Sequence, residues 1–73
     1  MNTLNILAKH DVAELGHRSE YIALAKSIDE NIDNLESIDD VYDCIIFFAN
    51  QLYDWKYDQQ KFIHVAREIY YSK

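Results

Sequence analysis

Proline is missing from these 73 residues, and Gly16 is the only glycine. Two-residue hairpin turns draw on glycine and Asn-Gly pairs, so this composition speaks against a hairpin-rich β fold. Cys44 is the only cysteine. An internal disulfide is excluded, and a lone thiol fits a reducing compartment. The longest unbroken apolar run, Cys44 to Ala49, is far too short to cross a bilayer. Residues Met1 to His10 lack a basic segment followed by a long apolar run, so no secretory leader is expected there. Together these absences give the expectation of a cytoplasmic protein without membrane contact.

One further absence is more informative. Between Lys26 and Lys56 there is no lysine or arginine. That stretch holds Asp29, Glu30, Asp33, Glu36, Asp39, Asp40, Asp43 and Asp54, a charge of −8. The rest of the chain carries five acids against seven bases, so the formal net charge is −6. The expectation is one strongly negative surface, which repels nucleic acid and attracts basic patches. The seven bases are scattered and form no stripe, and the sequence pI is about 4.7, so direct nucleic-acid binding is not expected. A helix-turn-helix drawn through Gly16 would have an acidic second helix.

What is present is enough for a core. The chain is 49% hydrophobic and 14% aromatic, which separates it from disordered sequences of low hydrophobicity. A domain this short buries only about 60–65% of its unfolded surface. Without disulfides such domains depend on tight helix packing or on oligomerisation.

Helical periodicity predicts four segments. The first covers about 4–15, with Leu4, Leu7, Ala8, Val12 and Leu15 on one face. Thr3 is its candidate N-cap, and Gly16 suits the left-handed position past its end. Asp11 disagrees, because it falls inside that apolar face. With Glu14 three residues on, it suits the start of a second short helix, so a break near His10 is a rival expectation.

The second segment covers about 20–34, capped by Ser19, with a stripe of Tyr21, Leu24, Ala25, Ile28, Ile32 and Leu35. The third covers about 38–53, capped by Ser37. Asp39 and Asp40 then lie in its first turn, where the helix dipole favours acids. Its stripe is Ile38, Val41, Ile45, Phe48, Ala49 and Leu52. The fourth covers about 59–71, capped by Asp58, with Phe62, Val65, Ala66 and Ile69 flanked by Ile63 and Tyr70. Counting in sevens also gives Ile38, Ile45, Leu52, Gln59 and Ala66, and Val41, Phe48, Trp55, Phe62 and Ile69. The third and fourth segments therefore also fit one long coiled-coil helix. Two separate helices are favoured because they let the chain close its own core.

The candidate chemistry is that of recognition. Glu36, Asp39, Asp40, Asp43 and Asp54 point away from the Ile38/Ile45/Leu52 stripe at about 100° per residue. Such a face keeps a small protein soluble, and it also suits docking of a basic protein. Rows of carboxylates imitate phosphate rows in charge. Calcium is not expected, because Asp29, Asp33, Asp39 and Asp43 lack the calcium-loop spacing and its glycine. His10, Glu14 and His17 are interrupted by Gly16 as a metal set. His64 reads as a surface histidine, and Cys44 as a structural thiol with no base beside it. No catalytic signature accompanies any of these groups.

The aromatics add candidate anchors. Tyr53, Trp55 and Tyr57 alternate with Asp54, Lys56 and Asp58 near the third helix's end. They either plug the end of a bundle or form an interface hot spot, with Tyr71 a weaker candidate. Phe47 lies opposite Ile38, among Asp40, Asp43, Asn50, Gln51 and Asp54. It is either covered by the first helix, making the third helix central, or an exposed knob ringed by acids.

The resulting expectation is an all-α bundle of three or four short helices, a single acidic domain over residues 1–73, alone or as a homodimer. Its function is expected to be non-enzymatic, with no cofactor and no metal. It would bind, and inhibit or modulate, a basic partner protein, nucleic-acid-binding proteins being one class of candidate. The contact residues expected are Asp29, Glu30, Asp33, Glu36, Asp39, Asp40, Asp43, Phe47, Asp54 and Trp55. The competing expectation is a self-associating structural or adaptor subunit whose acids serve only solubility.

Overall fold

A computed structural model describes residues 3–53 and 59–72. Four α-helices make up the fold: α1 (Thr3–His10), α2 (Ile22–Asn31), α3 (Ile38–Tyr53) and α4 (Gln59–Ser72). Short 3-10 turns at Arg18–Tyr21 and Ile32–Asn34 flank α2. Among the described residues there is no strand. Helix α1 packs against α2 and α4, and α3 packs against α4 and α2. The four helices thus form a closed ring around one core, an all-α bundle.

Isolated helices of this length are marginal in water, so the apolar stripes hold them. Leu7 and Val12, Tyr21, Leu24, Ala25 and Ile28, Val41, Ile45 and Ala49, and Phe62, Val65, Ala66 and Ile69 are all buried in a single cluster. A fully buried large apolar side chain contributes about 1.5–3 kcal/mol. The stripes of α3 and α4 are buried against each other as two helices packed side by side. This excludes the single long helix.

Helix α3 has the expected bounds and the expected cap. The Asp40 N–H donates to Ser37 Oγ at 3.1 Å, and the Val41 N–H to the Ser37 carbonyl at 3.1 Å. Asp40 reaches back so that Oδ2 accepts the Glu36 N–H at 3.1 Å. The first of these bonds satisfies an N–H group that a helix start leaves open, and the last ties the residue before the cap to the first turn. The expected stripe is shortened at its far end. Leu52 lies beyond Ala49, the last buried residue of α3, and is exposed.

Other boundaries differ from expectation. Helix α1 stops at His10, the rival break, instead of continuing to Leu15, because Asp11 adopts a left-handed backbone (φ 47°). Its N–H closes the last turn on the Leu7 carbonyl at 2.9 Å, the single bond of a left-handed helix stop. Asp11 thus takes the role expected of Gly16. Aspartate is one of the few residues that tolerate this conformation. Glu14 (φ 54°) and Gly16 (φ 78°) continue the turn, and no second short helix forms there. Thr3 is buried in the first turn, where its hydroxyl donates to Asp29 Oδ1 at 2.5 Å and ties α1 to α2. Ser19 does not cap a helix: it lies within the 3-10 turn, and α2 starts after Tyr21 without a side-chain cap. The helical segment expected to reach Asn34 is α-helical only to Asn31. The expected cap at Asp58 lies outside the described residues.

Candidate functional site

Helix α2 ends at Asn31 and α3 begins at Ile38, so the connection between them sits at one end of the bundle. Asp29 and Glu30 occupy the last turn of α2, and Asp39, Asp40 and Asp43 the first turns of α3. Asp33 and Glu36 lie between them. All seven are exposed. At about 1.5 Å rise per residue they fall within about 8 Å of that end. Asp39, Asp40 and Asp43 are exposed on α3 as expected, and Asp29, Glu30, Asp33 and Glu36 extend the acidic surface over the adjoining end of the bundle. Asp29 and Glu30 border a groove with Leu4 and Ile22 between α1 and α2. Asp40 and Asp43 border a groove with Leu35, Phe47 and Phe48 between residues 31–35 and α3. Asp39 lies beside Ile38, Tyr42 and Ile63 between α3 and α4.

Lys26 lines the α1–α2 groove beside Asp29 and Glu30, but none of the seven acids forms an ion pair among the described residues. Among the described residues the Lys–carboxylate ion pair is Lys9 with Glu68 (2.7 Å), and the His10 ring hydrogen-bonds the same carboxylate (2.9 Å), at the α1–α4 contact. Asp29 and Asp40 accept the neutral hydrogen bonds already described. Two of the acids are placed against the helix dipole. Asp29 and Glu30 stand at the negative end of α2, whose last turn holds no base. Asp39 and Asp40, in the first turn of α3, are favourably placed.

Phe47 is 58% exposed, and its ring meets Phe48 edge-on at 5.1 Å between centroids. The idea that α1 covers it fails, because the packing partners of α1 are α2 and α4. Cys44 lines the same groove half-buried, and burial pushes its thiol pKa up. A raised pKa keeps the thiol protonated and weakly nucleophilic. Tyr71 is exposed on α4. Asp54 and Trp55, with Lys56, Tyr57 and Asp58, lie outside the described residues. Tyr53 is half-buried. Its ring meets Tyr21 edge-on at 6.1 Å, and its hydroxyl donates to the Glu20 carbonyl at 3.3 Å. Burial, then the neighbouring Tyr21 and Glu20, push its pKa up to about 12.

The histidines part company. His10 pairs with Glu68 and stacks on His64 with centroids 6.5 Å apart. Glu14 and His17 follow in the loop after α1. Among the described residues no group of three or more His, Cys, Asp or Glu side chains could hold a metal. Lys9 and then His10 hold the Glu68 carboxyl below the usual range by hydrogen bonding.

One arrangement was missed by the sequence reading. Asp11 Oδ1 accepts hydrogen bonds from the Tyr21 hydroxyl (2.5 Å) and from the N–H groups of Leu15 (3.0 Å) and Gly16 (3.2 Å). The Tyr21 oxygen in turn accepts the Ala13 N–H at 3.0 Å. The Tyr21 bond is the largest cause holding the Asp11 carboxyl below its ordinary pKa, with the Gly16 N–H next. Burial raises the Tyr21 pKa, and Asp11 adds to the rise. The signal was Asp11 itself, an acid set in an apolar stripe. This cluster braces the α1–α2 loop and presents no open acid to a substrate.

Among the described residues, no helix is long and apolar enough to cross a membrane. Compared with known protein families, curated proteins and solved structures, the chain matches none of them.

Proposed function

We propose that this protein is a small acidic interaction module that binds a basic partner protein and thereby blocks or modulates it. The observation that carries this reading is the acidic end. Seven exposed carboxylates gather there, and none of them forms an ion pair among the described residues. Asp29 and Glu30 add a local electrostatic conflict at the end of α2, and such conflicts are expected where function overrides local stability. The charge steers a basic surface inward at long range, and an exposed aromatic such as Phe47 fixes the contact once formed. Where the partner's basic surface holds nucleic acid, the carboxylates compete with phosphates by charge.

The test is capture of partners from the source cell at low and high salt, followed by kinetics with the captured protein. Replacing Asp39, Asp40 and Asp43 with asparagine should slow association more than it speeds dissociation, and should flatten the salt dependence. Unchanged association kinetics would reduce these residues to solubility groups.

Self-association is the second reading. Its support is the groove between α3 and α4, where Ile63 is exposed beside Ile38 and Tyr42. Light scattering across protein concentration decides it.

A further inference from the structure

We propose that the groove between residues 31–35 and α3 docks a short, basic, amphipathic helix of the partner, with Phe47 as the apolar anchor. The inference rests on the acidic-module reading and names where and what that module binds. The groove is open and measures about 510 Å³. Its apolar parts are Leu35 and Phe48, half-buried against the core, and the exposed ring of Phe47 standing over Phe48. One bank carries Asp40 and Asp43, and the other the neutral amides Asn31 and Asn34. Neither aspartate makes an ion pair among the described residues, so each is available to a cation brought by a partner.

The spacing of these groups defines the occupant. Along α3, Asp43 lies about 6 Å and Asp40 about 10 Å before Phe47, at 1.5 Å per residue. A helix lying antiparallel in the groove matches them with one apolar side chain against Phe47 and Lys or Arg four and seven residues later. Those three positions share one helical face. An amphipathic helix laid into an apolar groove is a recurrent recognition mode. A second copy of this chain is a poor occupant, since its net charge is −6 and a two-fold contact brings Asp40 and Asp43 toward their own copies. Anionic membrane and nucleic acid are repelled by the same bank.

The probe is a synthetic helical peptide with leucine followed by arginine four and seven residues later. Its control has the same composition with the arginines on the opposite face. Both are titrated into the intact chain by fluorescence anisotropy, and Cys44 alkylation is followed in parallel because the thiol lines the groove. The patterned peptide should bind about tenfold more tightly than the control, a difference of about 1.4 kcal/mol. At saturation it should slow Cys44 alkylation about tenfold, the modified fraction tracking the unoccupied one. Phe47→Ala should remove the advantage of the patterned peptide and leave the control unchanged. Equal, salt-sensitive binding of both peptides overturns the groove while charge steering stands. Unchanged Cys44 alkylation at saturation overturns it in the unmodified chain, whatever the variant does. Cys44 protection that grows with protein concentration in the absence of peptide overturns it in favour of a second copy. Failure of both peptides to bind overturns the groove, and the kinetics with captured partner then judge the acidic module separately.

Discussion

Replacing Phe47 with alanine should change stability very little, and the structure gives the size. The residue is 58% exposed, so about two-fifths of its surface is removed from water. Full burial of a phenylalanine side chain is worth about 1.5–3 kcal/mol. The buried share is then roughly 0.6–1.2 kcal/mol. Alanine returns about 0.5 kcal/mol through better helix propensity. The net loss is roughly 0.1–0.7 kcal/mol. At about 4–8 °C per kcal/mol for a domain of this size, the Tm should fall by no more than about 6 °C. Phe62 supplies the contrast, with the same chemistry at 0% exposure against the helices around it. Phe62→Ala should cost about 3–5 kcal/mol, much of the few to ten kcal/mol that a chain of this length has on the general scale. Thermal unfolding followed by circular dichroism measures both variants under one buffer. A Phe47→Ala protein that melts as far below the parent as Phe62→Ala would show Phe47 to be part of the core. The anchor assigned to the groove would then be refuted.

Tyr21→Phe keeps a ring that is 1% exposed but removes the oxygen that accepts the Ala13 N–H. Leaving that N–H without its partner should cost about 1–3 kcal/mol in urea unfolding, and the Asp11 carboxyl should titrate closer to its ordinary range by NMR. Unchanged values of both would remove the Asp11–Tyr21 bond from the account of the loop. Asp11 and Glu68 have folded pKa values below their unfolded ones. Their stabilisation is present above the ordinary carboxylate range and is lost as pH falls through the lowered folded values. Glu68→Gln should therefore flatten the acid limb of a plot of urea midpoint against pH. At the alkaline end the sign reverses. Tyr21 is raised and Tyr53 is pushed up to about 12, so their share is intact below about pH 10 and is lost as pH rises toward the folded values. Tyr53→Phe should remove part of that alkaline loss, and an unchanged alkaline limb would argue against burial of its hydroxyl.

Where the chain's instructions are local, the sequence determined the outcome. The four apolar stripes and the absence of proline specify helices, because helical periodicity is a relation between residues three and four apart. The start of α3 was legible to the residue, since Ser37 and Asp40 cap it through bonds spanning four residues or fewer. The excess of acid between Lys26 and Lys56 was legible as well. Tertiary structure decided the rest. The break of α1 at His10 was offered by Asp11 in the apolar stripe as one of two readings, but the bond that holds Asp11 there comes from Tyr21, ten residues further on, and no local propensity contains it. Leu52 is exposed although it continues the apolar stripe of α3, since a stripe shows which side faces inward but not how far the neighbouring helices reach. The same limit applies to Phe47, whose exposure followed only once α1 was placed on α2 and α4. The acids of α2 came to lie beside those of α3 at one end of the molecule when the two helices packed against each other. Proximity between residues distant in sequence is set by packing of the whole chain, and periodicity within a single segment carries no record of it.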